Sequence, residues 1–183
     1  MMHFKLGKKR PRRAPNVAAA FADADDDDGT DHELGTLPPQ ERTELKVSRL
    51  RDEGSLLAES GRFREAMGQW SEALQCDPPT KVTAVLYELL AQAYLGVDED
   101  LAAVKVAHRA VELAPEWAEA RVTLGNAQRN FGELALAVGS YREALRLSPS
   151  LPEAHEGLED AEELMRRQRA AAAAAATVFV GDW

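Results

Sequence analysis

Apolar residues recur at spacings of three and four from about Leu45 to Met165, with polar and charged residues between them. That spacing gathers the apolar side chains into one stripe of an α-helix, whereas a half-buried strand would alternate strictly. The pattern breaks repeatedly, at Gly61, Pro78, Pro115, Gly132 and Pro149. Such short periodic runs with tight glycine or proline breaks predict antiparallel helix pairs. Residues 1 to about 40 lack the pattern. Charged and small residues dominate there and have too little apolar area to offset the entropy of ordering, so a disordered tail is expected and the folded domain begins near Pro39.

The breaks keep a register. Pro78, Pro115 and Pro149 each follow an alanine five residues earlier: Ala73, Ala110 and Ala144. The first two prolines are 37 residues apart and the last two 34. Aligned on them, Gly54, Ala91 and Gly125 precede Ala66, Ala103 and Ala137 by twelve residues. A residue with almost no side chain on each of two consecutive helices lets their axes cross closely, where a leucine would hold them apart. The stretch GRFREAMGQWSEALQCDP, Gly61 to Pro78, holds the whole device. Gly61 turns the chain, Ala66 permits the crossing, Trp70 fills the interior, Ala73 lies beneath the next unit and Pro78 ends the helix.

With these offsets the chain resembles the tetratricopeptide repeat family, in which helix-turn-helix units stack into a solenoid. The resemblance covers three units, about 47–80, 84–117 and 118–151. Leu50, Gly54, Leu57, Ala66, Trp70, Ala73 and Pro78 carry it in the first unit. Tyr87, Leu90, Ala91, Tyr94, Ala103, Ala107, Ala110 and Pro115 carry it in the second, with Ala107 smaller than the usual aromatic. Leu124, Gly125, Ala137, Tyr141, Ala144 and Pro149 carry it in the third, where Arg121 and Gln128 replace bulky apolar residues. An amphipathic stretch at about 152–169 then reads as a capping helix, since a terminal unit needs a polar outer face. The expected fold is therefore all-α: a right-handed superhelical solenoid of three units plus a C-terminal capping helix. Ala170 to Ala176 have high helix propensity and little to bury, so the helix either extends into them or frays there, and the final TVFVGDW fits either docking on the domain or a short peptide motif.

Charge changes the picture mainly at the N-terminus. The net charge of −9 conceals a basic block at Lys8, Lys9, Arg10, Arg12 and Arg13 followed by the acidic run Asp25 to Asp28. KKRPRR resembles a nuclear-import signal, so an intracellular, nuclear and/or cytoplasmic protein is expected. Nucleic-acid binding by the block is the weaker reading, because the neighbouring aspartates offset its attraction to phosphate. A single cysteine, Cys76, excludes an internal disulfide framework and any multi-cysteine zinc site. No run approaches the roughly 18 apolar residues of a membrane helix, so no membrane partner is expected.

Candidate chemistry is sparse. His3, His32, His108 and His155 have no metal-ligand spacing, Cys76 has no evident histidine partner, and Gly61 and Gly132 are isolated turn residues rather than a phosphate loop. No catalytic residue, cofactor or metal is expected, and the protein is read as a non-enzymatic adaptor or scaffold. The resemblance implies a concave groove, lined by the first helix of each unit, that holds a peptide or helix of a protein partner. Carried over, the groove residues are Arg51, Ser55, Glu88, Gln92, Asn126, Arg129 and Asn130, with Ser48, Glu59 and Glu119 beside them. Gln92, Asn126, Arg129 and Asn130 have the least packing rationale. Family members that clamp the acidic tail of a heat-shock chaperone use cations and asparagines at places that here hold Arg51, Ser55, Leu89, Glu119 and Thr123. Only Arg51 has the right charge, which disfavours a chaperone tail as partner and makes a co-chaperone role the alternative to the adaptor reading. A basic-tail protein associated with nucleic acid is the third reading. Changing the five basic residues from Lys8 to Arg13 to alanine is expected to abolish nuclear enrichment of a tagged chain; enrichment that persists refutes the import reading.

Overall fold

A computed structural model describes residues 37–179, among which there are seven α-helices and no strand. They are α1 Pro39–Glu59, α2 Phe63–Gln75, α3 Thr80–Gly96, α4 Asp100–Leu113, α5 Ala118–Phe131, α6 Leu134–Leu147 and α7 Pro152–Phe179. Each helix packs on the next, and contacts also run from α3 to α5 and from α5 to α7. The result is three antiparallel pairs in series with α7 laid on the last, as the repeat register predicts. No described helix is long and apolar enough to cross a membrane. The basic block and the last four residues lie outside the described residues.

Local chemistry sets the helix ends. Pro39 opens α1 at a position where its missing N–H is not needed, and Pro79 caps the start of α3. The turns within the first and third pairs place Gly61 and Gly132 at φ of 78° and 93°, in the left-handed region. The equivalent residue of the second pair is Asp98, at φ 59°. Aspartate is among the few other residues that visit this conformation.

Packing between the pairs depends on small residues. Ala66, Ala73, Ala103, Ala110, Ala137 and Ala144 are all fully buried. Trp70, 1% exposed, lies directly on Gly54, where an added Cβ would fall 2.7 Å from the indole Cδ1. Its indole N–H donates to the Arg51 carbonyl at 3.0 Å, so the ring is buried without an orphaned donor. Tyr141 repeats the arrangement on Gly125 and adds Gly157 of α7, with ring atoms 2.7 and 2.6 Å from the two virtual Cβ positions. The second helix of the middle pair has no aromatic at the place of Trp70 and Tyr141: Ala107 stands there, fully buried with Ala91, with Leu124 of the next pair in their cluster. A leucine from α5 thus supplies the volume that the aromatic supplies elsewhere.

The two departures in the third unit have structural roles. The Arg121 guanidinium donates twice to the Pro115 carbonyl, at 2.9 and 3.1 Å, and so fixes the passage from α4 into α5. Gln128 is buried and accepts a hydrogen bond from the Ser140 hydroxyl at 2.6 Å, joining α5 to α6. The C-terminal helix is longer than the expected cap, running ten residues past Arg169 to Phe179. Alanine continues an existing helix with the least entropic loss, so the run propagates α7 without requiring a surface to bury.

Two glycines separate packing from propensity. Gly54→Ala is expected to destabilise the domain by about 1–3 kcal/mol through overpacking against Trp70. Gly68→Ala, in α2 with open space around its Cα, is expected to stabilise by about 0.5–1 kcal/mol. Urea denaturation of both variants checks this, and equal effects at the two sites would contradict it.

Candidate functional site

The expected groove residues all belong to the first helices of the pairs, α1, α3 and α5. Their centre is a polar contact between α3 and α5. Glu88, 6% exposed, accepts a hydrogen bond from the Thr123 hydroxyl at 2.8 Å and another from the Gln92 amide one turn along its own helix. Two polar donors thus satisfy a carboxylate that burial would otherwise penalise. Thr123 is also buried, and Glu119 lies one turn before it on the same helical face, half-buried. The apolar part of this wall is Val85 and Leu89, both half-buried on α3.

On α1, the Arg51 guanidinium donates to Asp52 at 2.8 and 3.0 Å, so its charge is offset within its own helix. Ser55 donates to the Arg51 carbonyl at 3.0 Å. On α5, Asn126 accepts a hydrogen bond from the Tyr141 hydroxyl at 2.8 Å, and Arg129 pairs with Asp160 of α7 at 3.1 Å. Asn130 is exposed. Three of the four side chains with the least packing rationale in the sequence therefore have partners: Gln92 with Glu88, Asn126 with Tyr141 and Arg129 with Asp160. Gln92 and Glu88 have the four-residue spacing of one helical turn, whereas the other two contacts join neighbouring elements and no spacing in the chain announces them.

Asn126, Arg129, Tyr141 and Asp160 form one junction that holds the capping helix, reinforced by Arg142 and Glu162 at 2.8 Å. Burial pushes the Tyr141 phenol up to about 12, with Arg129 opposing the shift and Asp160 adding to it. Elsewhere, Lys46 of α1 pairs with Glu72 of α2 at 2.9 Å, and this hydrogen bond raises the lysine pKa. Two shallow clefts of about 380 and 390 Å³ lie away from this face, one where the α5–α6 turn meets α7 and one between α1 and α2. No group of three or more His, Cys, Asp or Glu side chains suited to a metal occurs among the described residues.

Comparison with known proteins identifies the architecture. No family model matches the chain. It is 43% identical over 111 residues to Tetratricopeptide repeat protein 33 of Xenopus laevis, a match covering 61% of this chain and 42% of that protein. The chain spans less than half the length of the curated relatives of that name that it matches. It is also 34% identical over 108 residues to the Hsp70-Hsp90 organizing protein of Triticum aestivum, covering 59% of this chain and 18% of that one. Among solved structures, the second tetratricopeptide repeat domain of human RPAP3, in complex with the HSP70 peptide SGPTIEEVD, matches with a TM-score of 0.61 at 22% identity. The match covers 66% of this chain and 98% of that one. The first such domain of Spaghetti (RPAP3), bound to the HSP90 peptide SRMEEVD, matches with a TM-score of 0.62 at 24% identity, covering 67% and 97%. These likenesses establish the all-α tetratricopeptide repeat solenoid.

The raised Tyr141 pKa makes the capping junction sensitive to alkali. An unfolded tyrosine ionises near pH 10, so above that pH the unfolded state sheds a proton that the folded state keeps. Stability is expected to fall progressively from about pH 10 to about pH 12, by roughly 2–3 kcal/mol for a shift of this size. Tyr141→Phe is expected to remove this component, read as the difference between the two proteins' denaturation midpoints across the range. Parallel pH profiles would contradict the assignment.

Proposed function

The chain belongs to the tetratricopeptide repeat family, and we propose from that premise that it is an adaptor holding an extended peptide or helix of a protein partner against α1, α3 and α5. The observation that carries this reading is the division of labour among its residues. The rings and alanines are buried between helices, whereas Arg51, Ser55, Glu88, Gln92, Thr123, Glu119 and Asn130 are polar residues of the first helices. Side chains with hydrogen-bonding capacity on such a face suit an extended peptide backbone. The mechanism is binding without turnover. Nuclear targeting by Lys8 to Arg13 belongs to the same proposal, as the route by which the adaptor reaches a nuclear assembly.

A co-chaperone role is the second reading, and the comparisons favour it over an unspecified assembly. Two of the similar solved domains hold chaperone peptides ending in EEVD, and a relative is an Hsp70-Hsp90 organizing protein. This supports a chaperone-associated role, through a chaperone tail or a client segment. The local residues weigh on the other side for the tail, since Leu89, Glu119 and Thr123 stand where the tail clamp uses cations and an asparagine.

Affinity capture separates groove from surface. Ser55→Arg and Asn130→Arg are each expected to lose partners that the parent chain captures, while Ser71→Arg on the exposed side of α2 retains them. An unchanged partner set in all three contradicts the groove. Calorimetric titration with a free peptide ending in EEVD tests the second reading: micromolar binding abolished by Arg51→Ala supports a chaperone tail, and absence of binding leaves only the client-segment form.

A further inference from the structure

The charge of the first-helix face points to a particular ligand chemistry. Arg51, a cation of α1 on this face, is already bound to Asp52. The cation at Arg129 is turned to Asp160 of the capping helix. Glu88 holds the wall between α3 and α5, with a hydroxyl and an amide as hydrogen-bond donors. The carboxylate of Glu119, one turn from Thr123, takes part in no hydrogen bond or ion pair among the described residues, although the residue is half-buried. On α3, the helix that Thr123 reaches through Glu88, the half-buried Val85 and Leu89 lie one turn apart on the same side of the helix as Glu88 and form an apolar strip. A carboxylate and an aliphatic strip match the two parts of a long basic side chain, whose methylene stem lies on apolar surface while its charge reaches an anion.

We propose that the groove recognises an extended segment carrying lysine or arginine, with the basic side chain lying along Val85 and Leu89 and its charge at Glu119. This rests on the reading that the first-helix face is the binding face, and it specifies the chemistry of the partner. A peptide ending in several carboxylates meets the carboxylate of Glu119, which no cation offsets, and is rejected by like charge. A client segment or another basic region of a partner meets the opposite arrangement.

Fluorescence anisotropy on the full chain tests this with three labelled probes: an end-capped peptide with lysine at alternate positions, its glutamate counterpart, and a free peptide ending in EEVD. The lysine peptide is expected to bind, and Glu119→Lys is expected to weaken it about tenfold with an unchanged circular dichroism spectrum. Glu119→Gln gives a smaller loss in the same direction. Glu159→Lys, the same charge change on an exposed position of α7, is expected to leave affinity within about twofold. Equal weakening by the changes at 119 and 159 would mean attraction to net charge alone and overturn the proposal. So would lysine-peptide affinity that ignores Glu119, or binding of the EEVD peptide in preference to the lysine peptide. If Ser55→Arg and Asn130→Arg abolish partner capture while Glu119→Lys changes nothing, the groove stands and the basic specificity falls. If none of the three has an effect, the groove itself falls.

Discussion

An aromatic ring seated on a helical glycine is the contact on which this architecture depends. Trp70 on Gly54, and Tyr141 on Gly125 and Gly157, each occupy the space that a side chain at the glycine would need. The ring supplies the apolar area and the glycine supplies the approach, so neither works without the other. Large-to-small replacement of such a ring costs about 3–5 kcal/mol, a large part of the total stability of a small domain. The polar end of each ring is also used: the indole N–H reaches the Arg51 carbonyl and the phenol reaches Asn126.

That second use links packing to function. Arg51 and Asn126 belong to the first helices, so the rings buried behind the groove hold the backbone or the side chains of the face in front. Tyr141 does more, because Asn126, Arg129 and Asp160 gather around it and bring α7 into the same junction. The ring contacts and the proposed binding residues therefore meet at the first helices. A substitution there is informative only when it leaves the ring contacts intact, which is why Ser55, Glu119 and Asn130 are better probes of binding than Asn126 or Arg129.

Much of this was legible in the chain. The glycine, alanine, aromatic and proline offsets are packing requirements with fixed spacing, so Gly54, Ala66, Trp70 and Pro78 disclose the pair from local sequence alone. The middle pair was harder, because Leu124 of the following unit fills the space left by Ala107, and no offset within one unit reveals it. The extension of α7 through the alanines is a matter of propagation, on which periodicity is silent. The face was less legible than the core. Glu88 with Thr123 is a contact between residues 35 apart, and Arg129 with Asp160 a contact between residues 31 apart. Polar partnerships depend on how units stack, whereas the repeat register only says that they stack.

The central claim is that partners meet the first-helix face and not the outer, second-helix face. Site-directed photo-crosslinking in cells tests it most directly, with a photoreactive residue placed at Asn130 of α5 or at exposed His108 of α4. Covalent partner adducts from position 130, with none from position 108, are the predicted result. Adducts from position 108 alone would contradict the account.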